Sequence, residues 1–282
     1  CKMGKNIAVI GLGLIGGSLS IALRGFEDYT IIGVDREEET LRIAKEREAA
    51  DQITKDAKKA VLAADVVILC LHPAGILSFF QEYAGCFRRG ALVTDVCGIK
   101  TAIAEGAKAL PDGVFYIGGH PMAGRETSGI QNAVGTLFHG AHYILTPGPG
   151  SRKDHVQLLT RIARHIGCKD VVQTTPQEHD KLIAYTSQIM HIMAAAVCDD
   201  PDLFRCKGFE GNSFRDCTRV AALDVPLWTE LFSMNAPALC EMIRRLEENL
   251  RSYRHAIASG NTERLSEKLS YSSARKRQMN LD

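Results

Sequence analysis

The 282-residue chain is predicted to be an α/β protein, with a parallel sheet in its first part and helices alone in its second. Three observations predict this. From Lys5 to about Thr174 short apolar runs alternate with amphipathic stretches. One run, Val66-Val67-Ile68-Leu69, lacks polar alternation, as expected of a strand covered on both faces. After Thr174 the strand-like runs stop. The expected strands are 6–10, 30–34, 66–71, 92–95, 114–117, 142–146 and 171–172, with helices between them such as 37–48, 74–86, 101–110 and 153–165. Repeated strand–helix–strand units of this length imply a parallel sheet with right-handed crossovers.

Thr175-Pro176-Gln177-Glu178 is a capping box with proline at the first helical position, so a helix starts there and runs to Val197. Asp199-Asp200-Pro201 ends it. A loop-rich stretch with Gly208, Gly211 and Asn212 follows, then helical runs near 227–234 and 237–258. The polar tail from Ser266 to Asp282, with Arg275-Lys276-Arg277, reads as a solvated end. The domain boundary is placed at 174, giving domains 1–174 and 175–282.

Composition removes several function classes. Lys and Arg total 34 against 33 Asp and Glu, and a net charge of +1 excludes nucleic acid as the main partner. No window approaches 18 apolar residues, which excludes a membrane span, and no signal-peptide core is expected at the start. The chain is long enough to bury a core without disulfides or a metal. Nine scattered cysteines with no C-x-x-C point to reduced thiols and a cytoplasmic protein.

Ile7-Ala8-Val9-Ile10 leads into Gly11-Leu12-Gly13-Leu14-Ile15-Gly16-Gly17 and then a helix. A G-x-G-x-x-G that follows a strand, opens a helix and begins the first βαβ unit is the Rossmann-type dinucleotide fingerprint. Gly11 permits the tight turn, Gly13 lets the backbone approach a pyrophosphate, and Gly16 lets helix and strand pack closely. The helix N-terminus supplies free N–H groups and positive potential to the phosphates. Asp35 lies 19 residues after Gly16, at the end of the second strand. A carboxylate there accepts hydrogen bonds from an adenosine ribose and repels a 2′-phosphate, which favours NAD over NADP. Arg36 follows at once and is able to contact a 2′-phosphate, so it pulls the other way. His72-Pro73 and Asp95-Val96, at the ends of the next two strands, complete the expected cofactor contacts.

Gly118-Gly119-His120-Pro121-Met122-Ala123-Gly124 lies just past the expected strand 114–117. Ligands of open parallel sheets bind outside the carboxyl ends of the strands, which puts His120 within reach of a nicotinamide ring. Pro121 stiffens the turn and would hold the imidazole in one direction. Taken alone, a histidine in a Gly/Pro turn is equally a surface or packing residue.

The glycine turn, Asp35, Asp95-Val96-Cys97-Gly98-Ile99-Lys100 and the His120-Pro121-Met122-Ala123-Gly124 turn together resemble the prephenate/arogenate dehydrogenases. Later segments agree: Glu178-His179-Asp180, Ser187-Gln188-Ile189-Met190-His191, Phe214-Arg215-Asp216-Cys217-Thr218-Arg219 and Pro226-Leu227-Trp228. The resemblance runs from Asn6 to about Arg254. It implies a Rossmann-type domain followed by an all-α dimerisation domain. The implied activity is NAD-dependent oxidative decarboxylation of prephenate to 4-hydroxyphenylpyruvate in tyrosine biosynthesis, or of arogenate to tyrosine. His120 is then the acceptor of the substrate hydroxyl proton, a task suited to a neutral imidazole near its ordinary pKa. His191 becomes a second pocket histidine on the nicotinamide side. Arg219 becomes the bidentate partner of a substrate carboxylate. Glu126 is a pocket gate or an ion-pair partner of Arg219, Gly98 a pocket position, and Trp228 a side chain reaching the neighbouring subunit's pocket. From the residues alone, His191 is equally a core histidine, Arg219 a surface arginine and Trp228 an interface or core aromatic. His179, in the first turn of its helix, is given a structural or capping role. The resemblance also implies a homodimer built on the helical half, with neither a mutase nor a regulatory domain. Any tyrosine inhibition would then act at the active site itself.

The chain departs from the family pattern at several positions. Gly98 stands where a serine hydroxyl often orients the catalytic histidine or the substrate. Gln188 replaces a histidine, Met190 a proline, and Arg125 a threonine or serine; Arg125 either adds charge beside the pocket or is solvated. His139 and His142 have no carboxylate or cysteine nearby at metal spacing, so no metal is expected. Cys97 is either a modifiable thiol or a buried inert one. Two rival functions remain: a 3-hydroxyacid dehydrogenase, and a silent NAD-binding regulator. Lys181 does not meet the G-x-x-x-K spacing of the first, and retention of His120, His191 and Arg219 speaks against the second.

Overall fold

The computed structural model describes residues 5–280, so Cys1 and the last two residues of the polar tail lie outside it. Eight strands form one sheet: β1 (Lys5–Ile10), β2 (Tyr29–Val34), β3 (Gln52–Thr54), β4 (Val66–Leu69), β5 (Leu92–Asp95), β6 (Phe115–Pro121), β7 (His142–Pro147) and β8 (Asp170–Gln173). Their order across the sheet is β3-β2-β1-β4-β5-β6-β7-β8. Six helices accompany them: α1 (Leu14–Leu23), α2 (Glu38–Glu46), α3 (Ala57–Ala63), α4 (Pro73–Glu82), α5 (Thr101–Gly106) and α6 (Lys153–His165). Along β1, Ile7 and Val9 join one apolar cluster while Ala8 and Ile10 join another. Both faces of this strand are therefore covered, as its unbroken apolar run requires.

One pairing departs from the expected all-parallel sheet: β6 and β7 are antiparallel. A parallel neighbour needs a crossover connection, usually a helix. The 122–141 connection holds only a 3₁₀ turn at Ile130–Asn132 and returns at the same end of the sheet. This pairing also carries β6 through Pro121, with His120 opposite Ile144 and Pro121 opposite Tyr143. His120 is thus a strand residue, where a turn beyond the strand was expected.

After β8 the chain is helical. Thr175 caps α7 (Pro176–Ile183), its side chain accepting from the Glu178 N–H. A π-helical turn over Ala184–Gln188 joins α7 to α8 (Ile189–Cys198). Pro176–Cys198 is thereby continuous over 23 residues and contains an 18-residue window with a mean hydropathy of 1.2, long and apolar enough by those measures to cross a membrane. Thr186-Ser187-Gln188 and His191 interrupt it, so it contains no run of 18 apolar residues. Its buried side carries His179, Asp180 and Gln188, polar groups that bond within the folded unit. Then come α9 (Asn212–Thr218), in a stretch expected to be loop, and α10 (Val225–Met234), capped by Asp224. α11 (Ala236–Ala258) and α12 (Thr262–Met279) follow. The polar tail is helical because Asn261 caps it and neither proline nor glycine interrupts it. Lys276 and Arg277 in its last turn also complement the dipole.

The change from strand to helix falls at 174, but the compact units divide between Asn235 and Ala236. Two buried side chains, Asp180 and Leu231, tie residues 175–235 to the sheet-bearing half, and a third, Asn235, ties the segment to itself. Asp180 accepts from the N–H groups of Lys100 (2.7 Å) and Thr101 (2.8 Å). Asn235 donates to the Asp180 carbonyl at 2.9 Å and to Gln188 Oε1 at 2.7 Å. Leu231 enters one of the sheet's apolar clusters. The second unit consists of α11 and α12, with Tyr253 Oη 3.0 Å from Ser272 Oγ. Replacing Asn235 by alanine strands the buried Gln188 Oε1 and leaves the Asp180 carbonyl with its helical partner Ala184 N–H alone, so urea denaturation should show a loss of about 1–3 kcal/mol. A change under about 0.5 kcal/mol would show that these bonds do not hold the segment.

Candidate active site

The glycine turn forms the cradle expected of a dinucleotide site. Gly11 has φ +91°, and a Cβ there would lie 2.6 Å from the Cys70 carbonyl oxygen. A Cβ at Gly16 would collide with the Gly11 carbonyl, whereas one at Gly13 would meet nothing within 4 Å. The open space beside Gly13 and the uncapped start of α1 leave backbone N–H groups available to a pyrophosphate. Leu12 turns its side chain into the core, and its N–H donates to Asp35 Oδ2 at 2.8 Å. Asp35 Oδ1 accepts from the Glu37 N–H at 2.9 Å, so the carboxylate is held beside the turn. Arg36 is exposed and pairs with Glu37 at 3.1 Å. These residues fit a dinucleotide.

Beyond the turn lies a cavity of about 780 Å³, bounded by the start of α1, the loop after β5, the end of β6, helices α7, α8 and α10 and the turn that leads into α10. Leu14, Ile15, His72, Val96, Gly98 and His120 line it, as do Glu126, His191 and Trp228. Two residues assigned to the cofactor stand elsewhere. Pro73 is buried at the first position of α4, where its missing N–H costs nothing. The Asp95 carboxylate is fully buried, paired with Lys100 and accepting from the Tyr116 hydroxyl at 2.6 Å and the Cys97 N–H at 2.8 Å. It is spent on holding the loop that lines the cavity.

His120 is half-buried at the cavity edge, and its Nδ1 lies 2.9 Å from Nε2 of His179. His179 Nδ1 lies 2.8 Å from Asp180 Oδ1. Burial, then the neighbouring His179 and Lys100, hold the His120 pKa well below the ordinary histidine value. Burial also lowers that of His179, and the hydrogen bond to Asp180 only partly offsets it. For Asp180 burial pushes upward, yet bonds from His179, Thr101 and Lys100 outweigh it and hold the carboxyl below its usual range. Both imidazoles are neutral and the carboxylate is charged at neutral pH.

His191 lies on α8, with Nδ1 2.9 Å from the Ser187 carbonyl, and burial lowers its pKa. Trp228 stacks on it within the same chain, ring centroids 3.7 Å apart. Trp228 thereby lines the cavity of its own chain. Arg219 and Glu126 form an ion pair at the rim, with side chains 60% and 47% exposed. A Cβ on Gly98 would sit 3.4 Å from a Leu231 methyl, an ordinary contact, so shape alone does not demand glycine there. Gln188 donates to the Leu231 carbonyl at 3.2 Å and accepts from Asn235. Burial raises the Cys97 pKa to about 12, leaving a neutral thiol. His139 lies against Gly167 and His142 pairs with Asp170 at 3.5 Å, so the two histidines have separate neighbours.

Sequence reasoning missed His179 and Asp180 as neighbours of His120, and Lys100 as the partner of Asp95. The spacing of Asp95 and Lys100, five residues apart across a glycine, was the one local signal available.

A glycine cradle opening onto a cavity with an uncharged histidine at a strand end defines a nicotinamide-dinucleotide oxidoreductase. The sequence model of the prephenate dehydrogenase nucleotide-binding domain matches residues 19–172, and that of the prephenate dehydrogenase dimerization domain matches 175–271. The chain belongs to the prephenate dehydrogenase family. It is 32% identical to the prephenate dehydrogenase of Lactococcus lactis over 87% of this chain and 69% of that protein. The Aquifex aeolicus prephenate dehydrogenase crystallised with hydroxyphenyl propionate and NAD+ superposes with a TM-score of 0.87 at 27% identity, covering 99% of this chain and 98% of the other. Synechocystis arogenate dehydrogenase superposes at 0.83 with 30% identity, over 97% of this chain and 99% of the other.

His120, His179 and His191 all have folded pKa values below the ordinary 6.5. As pH falls below 6.5 the unfolded chain takes up protons that the fold refuses, so stability falls with pH. The melting temperature should be level above pH 7 and decline steadily from about pH 6.5 towards pH 5. A melting temperature that rises over that interval would contradict neutral buried imidazoles.

Proposed function

We propose that the chain catalyses the NAD-dependent oxidative decarboxylation of prephenate to 4-hydroxyphenylpyruvate, with arogenate as the alternative substrate. The observation that carries this reading is His120 at the wall of the cavity, its Nδ1 engaged by His179 and its Nε2 left for substrate. Bound NAD supplies the acceptor for the hydride that leaves the ring carbon bearing the hydroxyl. His120 receives the hydroxyl proton, and loss of carbon dioxide aromatises the ring. Aromatisation supplies the driving force, so the protein's work is positioning and polarisation.

Arg219 exchanges Glu126 for a substrate carboxylate. Their rim pair is exposed, which makes the exchange cheap, because a solvated ion pair contributes about 1 kcal/mol or less. Arg125 lies in the same rim loop and adds positive charge at the mouth. The stacked rings of His191 and Trp228 present a flat wall to the substrate ring. Asp35 beside the turn favours an unphosphorylated ribose, hence NAD over NADP. The work divides near residue 174: cofactor contacts come from 1–174, while in the helical domain, 175–282, residues as far as Leu231 close the pocket and the exposed apolar helix face dimerises.

A homodimer is supported by Leu182, Tyr185, Met190, Met193 and Val197, large apolar side chains left exposed along Pro176–Cys198. The cysteines among the described residues are all free, in keeping with a reducing, cytoplasmic setting. Tyrosine shares the hydroxyphenyl ring of the product and is proposed to inhibit at this same cavity.

NADH absorbance tests the reading. Prephenate or arogenate with NAD should produce NADH, and none formed from either at high enzyme concentration would overturn it. His120→Asn should lower kcat by about 10²-fold or more with cofactor affinity unchanged. Arg219→Ala should chiefly raise KM; an unaltered KM would remove the carboxylate contact. The same assay with both substrates and both dinucleotides ranks them directly.

A further inference from the structure

We propose that His179 and Asp180 are positioning residues that fix His120 as its Nδ1–H tautomer and stabilise the imidazolium formed during turnover. The proposal rests on the reading of His120 as acceptor of the substrate hydroxyl proton. The tautomers follow from the fixed end of the chain of bonds. Both Asp180 oxygens accept backbone N–H groups, Oδ1 from Lys100 and Oδ2 from Thr101. A carboxylate so placed only accepts, so His179 Nδ1, 2.8 Å from Oδ1, must donate. A neutral imidazole has one N–H, so His179 Nε2 is an acceptor. His120 Nδ1, 2.9 Å away, must then donate to it. That leaves the lone pair of His120 on Nε2, the nitrogen a substrate can reach.

The surroundings keep this order in place. The charged groups that act on the two rings are Asp180 from α7, Lys100 ahead of α5 and Asp95 at the end of β5, while Cys97 and Tyr116 bear on Asp95 and Asp180 in turn and Tyr143 on Asp95. Lys100 is paired with Asp95, which leaves Asp180 as the anion in line with His120. His179 and Asp180 are buried, so the relay ends inside the protein. The reaction needs no exit. The substrate O–H bond breaks, its proton passes to Nε2 and its electron pair forms the ring carbonyl as hydride leaves. When the bond to carbon dioxide breaks, that electron pair aromatises the ring, and the phenolate oxygen recovers the proton. Hydride goes to NAD, and no proton is lost overall. For that interval the positive charge sits on the His120 imidazolium, and the buried carboxylate stabilises it through His179 without taking the proton away.

The test is nitrogen NMR on protein labelled with ¹⁵N-histidine above pH 7, with His120→Asn assigning the signals. His120 should show a pyrrole-type Nδ1 and a pyridine-type Nε2. Asp180→Asn removes the charge while keeping one acceptor oxygen, and should weaken the preference of both rings for the Nδ1–H form. His179→Leu should lower kcat by about 10²-fold with KM within about threefold. His179→Gln keeps one donor and one acceptor in the same order, and should recover at least about tenfold of that loss. A wild-type His120 protonated on Nε2, or a His179→Leu kcat within about threefold of the parent, overturns the proposal. The NMR measurement needs no substrate. Absence of turnover with prephenate and arogenate would therefore sink the reaction assignment alone, with the relay still decided by the tautomer.

Discussion

The Asp180 carboxylate is the contact on which the site depends. It accepts the N–H groups of Lys100 and Thr101 and faces His179 Nδ1. Those N–H groups open α5, whose own N-cap residue, Lys100, supplies no side-chain cap. A charged oxygen pair at a helix start satisfies orphan donors and meets the positive end of the dipole. The same contact therefore caps one helix, anchors another and orients a histidine. It also explains why residues 175–235 belong to the sheet-bearing unit although they contain no strand. Removing α7 would leave the start of α5 uncapped and the His120 ring without a partner.

A second buried pair, Lys100 with Asp95, sits beside the first, with both side chains fully buried. Such pairs seldom repay their desolvation, and losing one partner costs about 3–5 kcal/mol. Here Asp95 also accepts from Tyr116 and from the Cys97 N–H, so its oxygens are satisfied. What the pair secures is the course of the Val96–Gly98 backbone, which forms one wall of the cavity. Gly118 and Gly119 leave the room this requires. A Cβ on Gly118 would come within 2.8 Å of the Lys100 side chain, and one on Gly119 within 2.8 Å of the Asp95 carbonyl.

The legible parts of the sequence are those whose cause is local. The glycine turn, the unbroken run at Val66–Leu69 and the Thr175 capping box each declare themselves within a few residues, and each forms as expected. His120 was set in a turn because β6 is lengthened by pairing with β7, some twenty residues on, and nothing near it announces that pairing. His179 reads as a helix-start residue because the capping box explains its neighbourhood; its partner His120 is 59 residues away. Asp95 looked like a cofactor ligand because strand-end carboxylates face ligands in open sheets, and only burial against Lys100 turns it inward. The polar tail lacked an apolar stripe, which hid α12 from a pattern that reads amphipathicity.

The charges of the site fall into two groups that differ in solvation, and the difference matches what each group must do. Asp180 faces His179 from a buried position, while Arg219 and Glu126 meet at an exposed rim. A residue that must define which nitrogen bears a proton gains from a rigid, dry setting, where a hydrogen bond cannot be traded for water. A residue that must release one carboxylate to take another needs the reverse, because a desolvated pair would be too costly to break. Exchange at the rim leaves Glu126 free in solvent, where an unpaired carboxylate costs little. The same exchange at Asp180 would strand two backbone donors and a buried charge. With a net charge of only +1, attraction for an anionic substrate has to come from a few placed cations, and these belong at the rim. Partner exchange is thus confined to the rim and proton placement to the interior, and the 780 Å³ cavity between them is where a substrate meets both.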